Sequence, residues 1–273
     1  MDKEAFLISR MGSQHIGDDG AVIDGTVYTM DAFCEGTHFL REWMSPARIG
    51  RKAMLVNLSD AVAMNADPLY ALVSVMIPRE MSREEIAELS DALEATAAEY
   101  GCEIIGGDTV GGERLHLSIT LISRSEDPLL RRGVQVGDWL AYTGVLGRVK
   151  RDLERLMRGE KIEEDSPFFE PALRREFVRK ARPYLRAGMD LSDGLYCDTN
   201  KLLDLNGLGM EPLLEIPPEI GESGEEYEML VAVAPHRLEI VEHIAHDCGI
   251  PFHPFARVSN DTTLRFPCRS HHF

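Results

Sequence analysis

Several common signatures are missing from this 273-residue chain. It has no GxxxxGK[ST] loop and no GxGxxG, so neither a P-loop fold nor a protein-kinase fold is supported. No stretch is apolar long enough to span a bilayer, and the Met1-Asp2-Lys3-Glu4 start does not read as a signal peptide. Its five cysteines (Cys34, Cys102, Cys197, Cys248, Cys268) are odd in number, scattered, and without a CxxC pair. That pattern predicts reduced thiols in a cytoplasm and no zinc site. Basic residues are scarce: 29 Lys and Arg face 46 Asp and Glu, for a formal charge of −17. Such a balance argues against nucleic acid or an anionic membrane as a partner.

What is present is ordinary in bulk, with 44% hydrophobic and 27% charged residues, as in a soluble globular protein. The length suits one large or two modest domains. Strands and helices alternate, which predicts an α/β or α+β architecture. Thr26 to Asp31 reads as a strand ending in an acid. Ser45-Pro46 opens a helix that runs to about Asn65, where Asp67-Pro68 stops it. The apolar run Leu69 to Ile77 predicts a buried strand, and Ser82 with Glu85 predicts a capping box for a helix ending near Tyr100-Gly101. Leu115 to Ile122 is a further strand. Asp127-Pro128 and Arg131-Arg132-Gly133 read as a linker, which divides the chain into domains 1–133 and 134–273. Beyond it we expect a strand from Gly137 to Thr143, a solvated connection from Gly159 to Pro167 and a largely helical Phe169 to Tyr184. A helix closing at Asn206-Gly207, a strand from Glu225 to Val233 and a helix from Pro235 to Cys248 follow.

The chemistry is carried by carboxylates. Ile104-Ile105-Gly106-Gly107-Asp108-Thr109-Val110-Gly111-Gly112 is a short apolar strand running into glycines that bracket one acid. Glycine lets backbone amides approach an anion closely, but an acid at the centre of such a loop repels phosphate unless a divalent cation lies between them. Four other places put acids at turns, strand ends or helix faces: Gly17-Asp18-Asp19-Gly20, Thr29-Met30-Asp31, Asn57-Leu58-Ser59-Asp60 and Asp190-Leu191-Ser192-Asp193. Each alone reads equally as a turn, a strand end or a helix start. Asp60 lies at helical spacing with Asn57 and Met64, and reads as bound to metal if buried, or else as exposed or paired with Arg51 or Lys52. Together they point to Mg²⁺ held between carboxylates and a nucleoside triphosphate.

In order along the chain, these segments resemble thiamine-monophosphate kinases, of the superfamily that includes aminoimidazole-ribonucleotide and selenophosphate synthetases. The resemblance also rests on Glu35-Gly36-Thr37-His38-Phe39, Ile49-Gly50-Arg51-Lys52-Ala53, Arg131-Arg132-Gly133 and Gly224-Glu225-Glu226-Tyr227-Glu228. It implies a two-domain synthetase-like fold and a homodimer formed through the N-terminal domain. The implied activity is ATP-dependent phosphorylation of thiamine monophosphate to thiamine diphosphate, in the cytoplasm, by direct transfer onto the substrate phosphate. By the same resemblance Asp18, Thr29, Met30 (through its backbone), Asp31, Asp60, Asp108, Asp190 and Asp193 are Mg²⁺ positions. Asp31, Asp60 and Asp108 are the catalytic core of that set. Tyr100, Gly107, Asp108, Arg131 and Ser192 are implied as nucleotide contacts, and His38 and Glu225 as substrate contacts. No general base is implied, because the acceptor phosphate oxygen is already largely ionised.

The chain departs from the family at Thr143 to Lys150, where a glycine- and alanine-rich segment is replaced, and at Ser223-Gly224-Glu225, where the family has GGE. Its tail ends Arg269-Ser270-His271-His272-Phe273, with Ser270 near where the family often has an aromatic residue. Two alternatives stay open: a related ATP-dependent synthetase, and a catalytically silent nucleotide-binding homologue.

Overall fold

The structure is a computed structural model that describes residues 3–268, so the Met1-Asp2 start and the tail from Arg269 to Phe273 lie outside the described residues. A short helix α1 (Lys3–Ser9) precedes strands β1 (Ala21–Ile23) and β2 (Thr26–Cys34). Helix α2 (Pro46–Ala63), strand β3 (Asp67–Pro78) and helix α3 (Arg83–Glu99) follow, then β4 (Glu103–Gly112) and β5 (His116–Arg124). These strands form one sheet in the order β1-β2-β5-β3-β4, in which only β3 and β4 run parallel.

Local chemistry explains both long helices. Ser45 caps α2 by accepting from the Arg48 amide, and Pro46 needs no partner for the N–H it lacks. Ser82 and Glu85 close a reciprocal capping box at the start of α3. Both helices cover one face of the sheet, burying Met54, Leu58, Leu89 and Leu93 against Leu117, Ile119 and Leu121.

The other face is open. Cross-strand register aligns Tyr28 with Ile122 and Tyr70, Met30 with Thr120 and Leu72, and Met76 with Val110. Tyr28, Met30, Tyr70, Leu72, Met76 and Val110 are all exposed. The Leu69–Ile77 run is therefore not a buried strand: its apolar continuity serves a sheet with helices on one side and an uncovered apolar surface on the other. Asp31 lies inside β2 and does not end it, because the strand continues to Cys34.

The second sheet is built from β6 (Trp139–Thr143), β7 (Leu185–Asp190), β8 (Gly209–Pro212), β9 (Met229–Val233) and β10 (Phe252–Ser259), in the order β7-β9-β6-β10-β8. Helices α4 (Arg148–Met157), α5 (Arg175–Ala181), α6 (Leu195–Asn206), α7 (Pro218–Gly221) and α8 (Leu238–Asp247) connect it. Phe169 to Tyr184 is helical only from Arg175, and Glu225 to Glu228 is loop before β9 begins at Met229. The halves share a core, since Phe168, Phe169 and Tyr227 pack with Phe33, Phe39 and Met54.

The expectation of reduced thiols throughout fails at one place. Cys197, buried on α6, is joined to Cys268 across a sequence separation of 71. Cys34, Cys102 and Cys248 are free. Spacing along the sequence gave no sign of this bridge, because Cys268 reaches Cys197 only after the tail folds back along α6. Phe266 stacks on Tyr196 at 4.6 Å and exchanges two hydrogen bonds with the Asn200 side chain.

Candidate active site

Three carboxylates from distant parts of the chain converge. Asp19, Asp60 and Asp190 each place an oxygen within 4.8 Å of the others. Asp190 is the last residue of β7, Asp60 lies in the last turn of α2, and Asp19 comes from the loop before β1. Ser59 donates to Asp190 Oδ2 at 2.5 Å. The Arg131 guanidinium pairs with Asp19, its Nε 2.9 Å from Oδ1. Asp60 is not paired with either helix neighbour: Arg51 binds Glu99 and Glu170, and Lys52 binds Glu225.

Burial, then mutual repulsion, sets the electrostatics. Desolvation, with Asp31 and Asp190 next to it, pushes the Asp60 carboxyl well above the ordinary aspartate range. Desolvation and Asp19 do the same to Asp190, although the Ser59 hydrogen bond opposes them. Asp19 is also raised by burial, against the pull of Arg131. A group of acids that cannot all ionise together is a site built for a cation. Hard oxygen donors at this spacing suit Mg²⁺. Thr29 adds a buried hydroxyl with no hydrogen-bond partner among the described residues.

Around the cluster lies a cavity of about 370 Å³ whose wall includes Asp18, Met30, Asp31, Ser192, Asp193 and Arg131. Asp18 accepts from the Arg131 amide at 2.7 Å, so of the Asp18-Asp19 pair it is Asp19 that joins the cluster. Asp18, the expected metal position, lines the same cavity, and its neighbour Asp19, absent from the expected set, supplies an oxygen to the three-acid group. Asp31 is held by its amide, which donates to Asn57 Oδ1 at 2.9 Å. Asp193 is ion-paired with Lys201. Asp198, absent from the expected set, accepts from the Asp193 amide at 3.0 Å and is pushed up to about 7, chiefly by burial.

A second cavity, of about 330 Å³, adjoins the first. Val149, Leu153, Met157 and Phe168 give it an apolar wall, and Val149 belongs to the segment that departs from the family pattern. His38, Ser192, Asp193 and Glu225 line both cavities. The Cys34 amide donates to His38 Nδ1 at 3.0 Å, which leaves the ring proton on Nε2. Glu225 and Tyr227 both adopt left-handed backbone, at φ 55° and 53°. Their amides donate to the Ser192 and Leu191 carbonyls, so the two loops brace each other.

Three expected residues lie elsewhere. Gly107 and Asp108 line a separate groove beside β3 and α3, and Tyr100 caps the C-terminus of α3 in neither cavity. Asp108 shares a cross-strand row with Ser74 and Ser118 on the open face, whereas Asp31 shares one with Ile119 and Val73 on the helix side. They are three strand spacings apart, about 14 Å. Within one chain Asp108 therefore does not meet Asp31 or Asp60. Gly107 cannot be replaced without moving β3, since an added Cβ would sit 1.7 Å from the Val73 carbonyl oxygen.

The two-sheet α/β architecture and its acid cluster are those of an AIR synthase-like fold, and residues 17–124 match the family described as AIR synthase related protein, N-terminal domain. The thiamine-monophosphate kinase of Aquifex aeolicus is 33% identical over 218 residues, 76% of this chain and 70% of that protein. That of Rhodopirellula baltica is 32% identical over 281 residues, covering 91% and 84%. A solved structure described as AaThiL complexed with AMPPCP and TMP superposes with a TM-score of 0.86 at 25% identity, over 99% of this chain and 96% of that one. The chain belongs to the thiamine-monophosphate kinase family.

Proposed function

We propose that this protein transfers the terminal phosphoryl group of ATP to thiamine monophosphate, forming thiamine diphosphate. The observation that carries the reading is the shared wall: an acid-lined cavity suited to a metal-bound polyphosphate meets a half-apolar cavity across His38, Ser192, Asp193 and Glu225. The triphosphate belongs on the Asp19, Asp60 and Asp190 side, and the thiamine rings belong against Phe168 and Leu153. Mg²⁺ held by these carboxylates, with Asp31, Thr29 and Asp193 in reach, would neutralise phosphate charge and align donor with acceptor. The protein's own part is positioning. Arg131 keeps Asp19 in place, Ser59 orients Asp190, and His38 can offer its Nε2 proton to the acceptor phosphate.

The open apolar face and the placement of Asp108 support a homodimer. A second copy seated on Tyr28, Met30, Tyr70 and Leu72 would cover that surface. Met30 belongs both to this face and to the acid-lined cavity, so a partner docked there stands at the mouth of the site. In that assembly the Gly107-Asp108 strand of one copy serves the site of the other. A cytoplasmic location goes with the substrates, and the charge of −17 goes with small-molecule partners rather than nucleic acid. The deciding assay incubates purified protein with Mg²⁺, ATP and thiamine monophosphate and quantifies thiamine diphosphate. ATP binding with no diphosphate formed would overturn the reading in favour of a silent nucleotide-binding homologue.

A further inference from the structure

Lys52 has no accessible surface. It lies one and two helical turns before Val56 and Asp60 on α2, and both of those line the acid cavity. Its ammonium is 2.5 Å from Glu225 Oε2, 4.2 Å from the centre of the Phe168 ring and 5.5 Å from that of Phe33. Glu225 is its only carboxylate partner among the described residues. A cation this deep would not be retained for bulk stability, because a buried ion pair gains little over apolar packing. Its placement ties the N-terminal half to one wall residue of the site.

Glu225 is held from two sides. Its left-handed backbone is fixed by the amide bond to the Ser192 carbonyl at 2.8 Å, and its carboxylate is fixed by Lys52. It stands where the two cavities join. A bare carboxylate there would repel the phosphate of an incoming acceptor. Paired with Lys52 it is neutral overall, with one oxygen occupied and the other left for a cationic or hydrogen-bonding group. Thiamine monophosphate supplies such a group in its quaternary thiazolium ring.

We propose that Lys52 is a positioning residue for the phosphoryl acceptor, acting through Glu225 and without touching substrate. This rests on the kinase reading above, and Lys52 should matter for the acceptor and not for ATP. The test is steady-state kinetics with each substrate varied in turn, on Lys52→Met, Lys52→Arg, Glu225→Gln and the Lys52→Met/Glu225→Gln pair. Lys52→Met should raise the acceptor KM about tenfold or more, as expected for losing a hydrogen bond to a charged group. The KM for ATP should stay within about twofold, and Lys52→Arg should recover most of the loss. The double variant should be no worse than Glu225→Gln alone.

A folded Lys52→Met with unchanged acceptor KM, or with both KM values shifted together, overturns the proposal. So do fully additive losses in the double variant. Should Lys52→Met fail to fold, Glu225→Gln decides: an unchanged acceptor KM would mean there is no carboxylate role to position. Wild-type protein that forms no thiamine diphosphate defeats the kinase reading itself. Calorimetric binding of thiamine monophosphate to the same variants then tests the Lys52 assignment separately.

Discussion

Two acidic stretches of this chain look alike as sequence and end in opposite circumstances. Asp190-Leu191-Ser192-Asp193 begins on the last residue of β7, itself an edge strand, and its first acid is buried against Asp19 and Asp60. Gly106-Gly107-Asp108-Thr109 lies on an edge strand of the other sheet, where Asp108 is exposed and accepts from the adjacent Thr109 amide at 2.9 Å. The first is gathered within one chain. The second has glycines that permit close approach and lines a groove with β3 and α3, away from that cluster. Both strands are sheet edges, so what lies against the strand, not residue type or strand order, separates them. The two-copy site proposed above would leave this trace in a single chain: a glycine-rich acidic motif on an open edge, next to uncovered apolar surface.

The comparison breaks or sharpens most sharply at Asp60. Asp60→Asn should lower kcat by about 10³-fold or more, since it would remove a carboxylate proposed to hold the Mg²⁺ that neutralises the transferring phosphates. The same change should raise the melting temperature of metal-free protein near neutral pH. A carboxyl whose native pKa is raised contributes stability that is full below its unfolded value and is lost as pH rises through the native one, so removing it removes that loss. Turnover and thermal unfolding in chelator read the two effects.

Asp108→Asn should reduce turnover to a similar extent with no change in metal-free melting temperature. Mixing inactive Asp108→Asn with inactive Asp60→Asn protein and allowing exchange should restore roughly a quarter of the wild-type activity, the statistical yield of intact sites in a two-fold dimer. No recovery would place Asp108 at its own chain's site and end the two-copy account.

A smaller effect is expected from metal alone. Mg²⁺ at a hundred times its dissociation constant should stabilise the protein by about 2.7 kcal/mol. Asp190→Asn should abolish most of that shift, and Asp108→Asn should leave it intact in the unassembled chain. Smallest is Glu226, which accepts from the Gly147 amide and Ser223 hydroxyl at 2.6 Å and is raised by burial from 4.5 to about 7. Its native pKa exceeds the unfolded one, so stability should decline as pH rises between those values, and Glu226→Gln should flatten that decline in denaturant titrations.

The site was legible to the extent that local chemistry announces itself. Ser45-Pro46 and Ser82 with Glu85 are contained in a few residues, so both helices could be read directly. Asp31, Asp60 and Asp190 could be grouped because their motifs recur in a known order. What could not be read depends on long-range placement. That Asp19 joins Asp60 and Asp190 depends on Arg131, more than a hundred residues away, which holds Asp18 by its amide and Asp19 by its guanidinium. The exposure of the Leu69–Ile77 strand depends on which face the helices choose. Strand β7 went unread despite the break at Pro183, because Leu185 to Asp190 is short and holds Arg186 and Gly188 among its few apolar residues. In the sequence Lys52 is a possible partner of Asp60, and only the fold places it, buried, against Glu225.

The covalent link from Cys197 to Cys268 makes everything between those residues a closed ring, threaded through α6 and β10. Any shortened form that stops before Cys268 opens the ring, and one that stops before Phe266 also strips the aromatic cover from Tyr196. The helix so exposed is the one that carries Asp198 and Lys201 behind the Asp193 loop. Trimming the chain at its far end is therefore an intervention at the reaction centre.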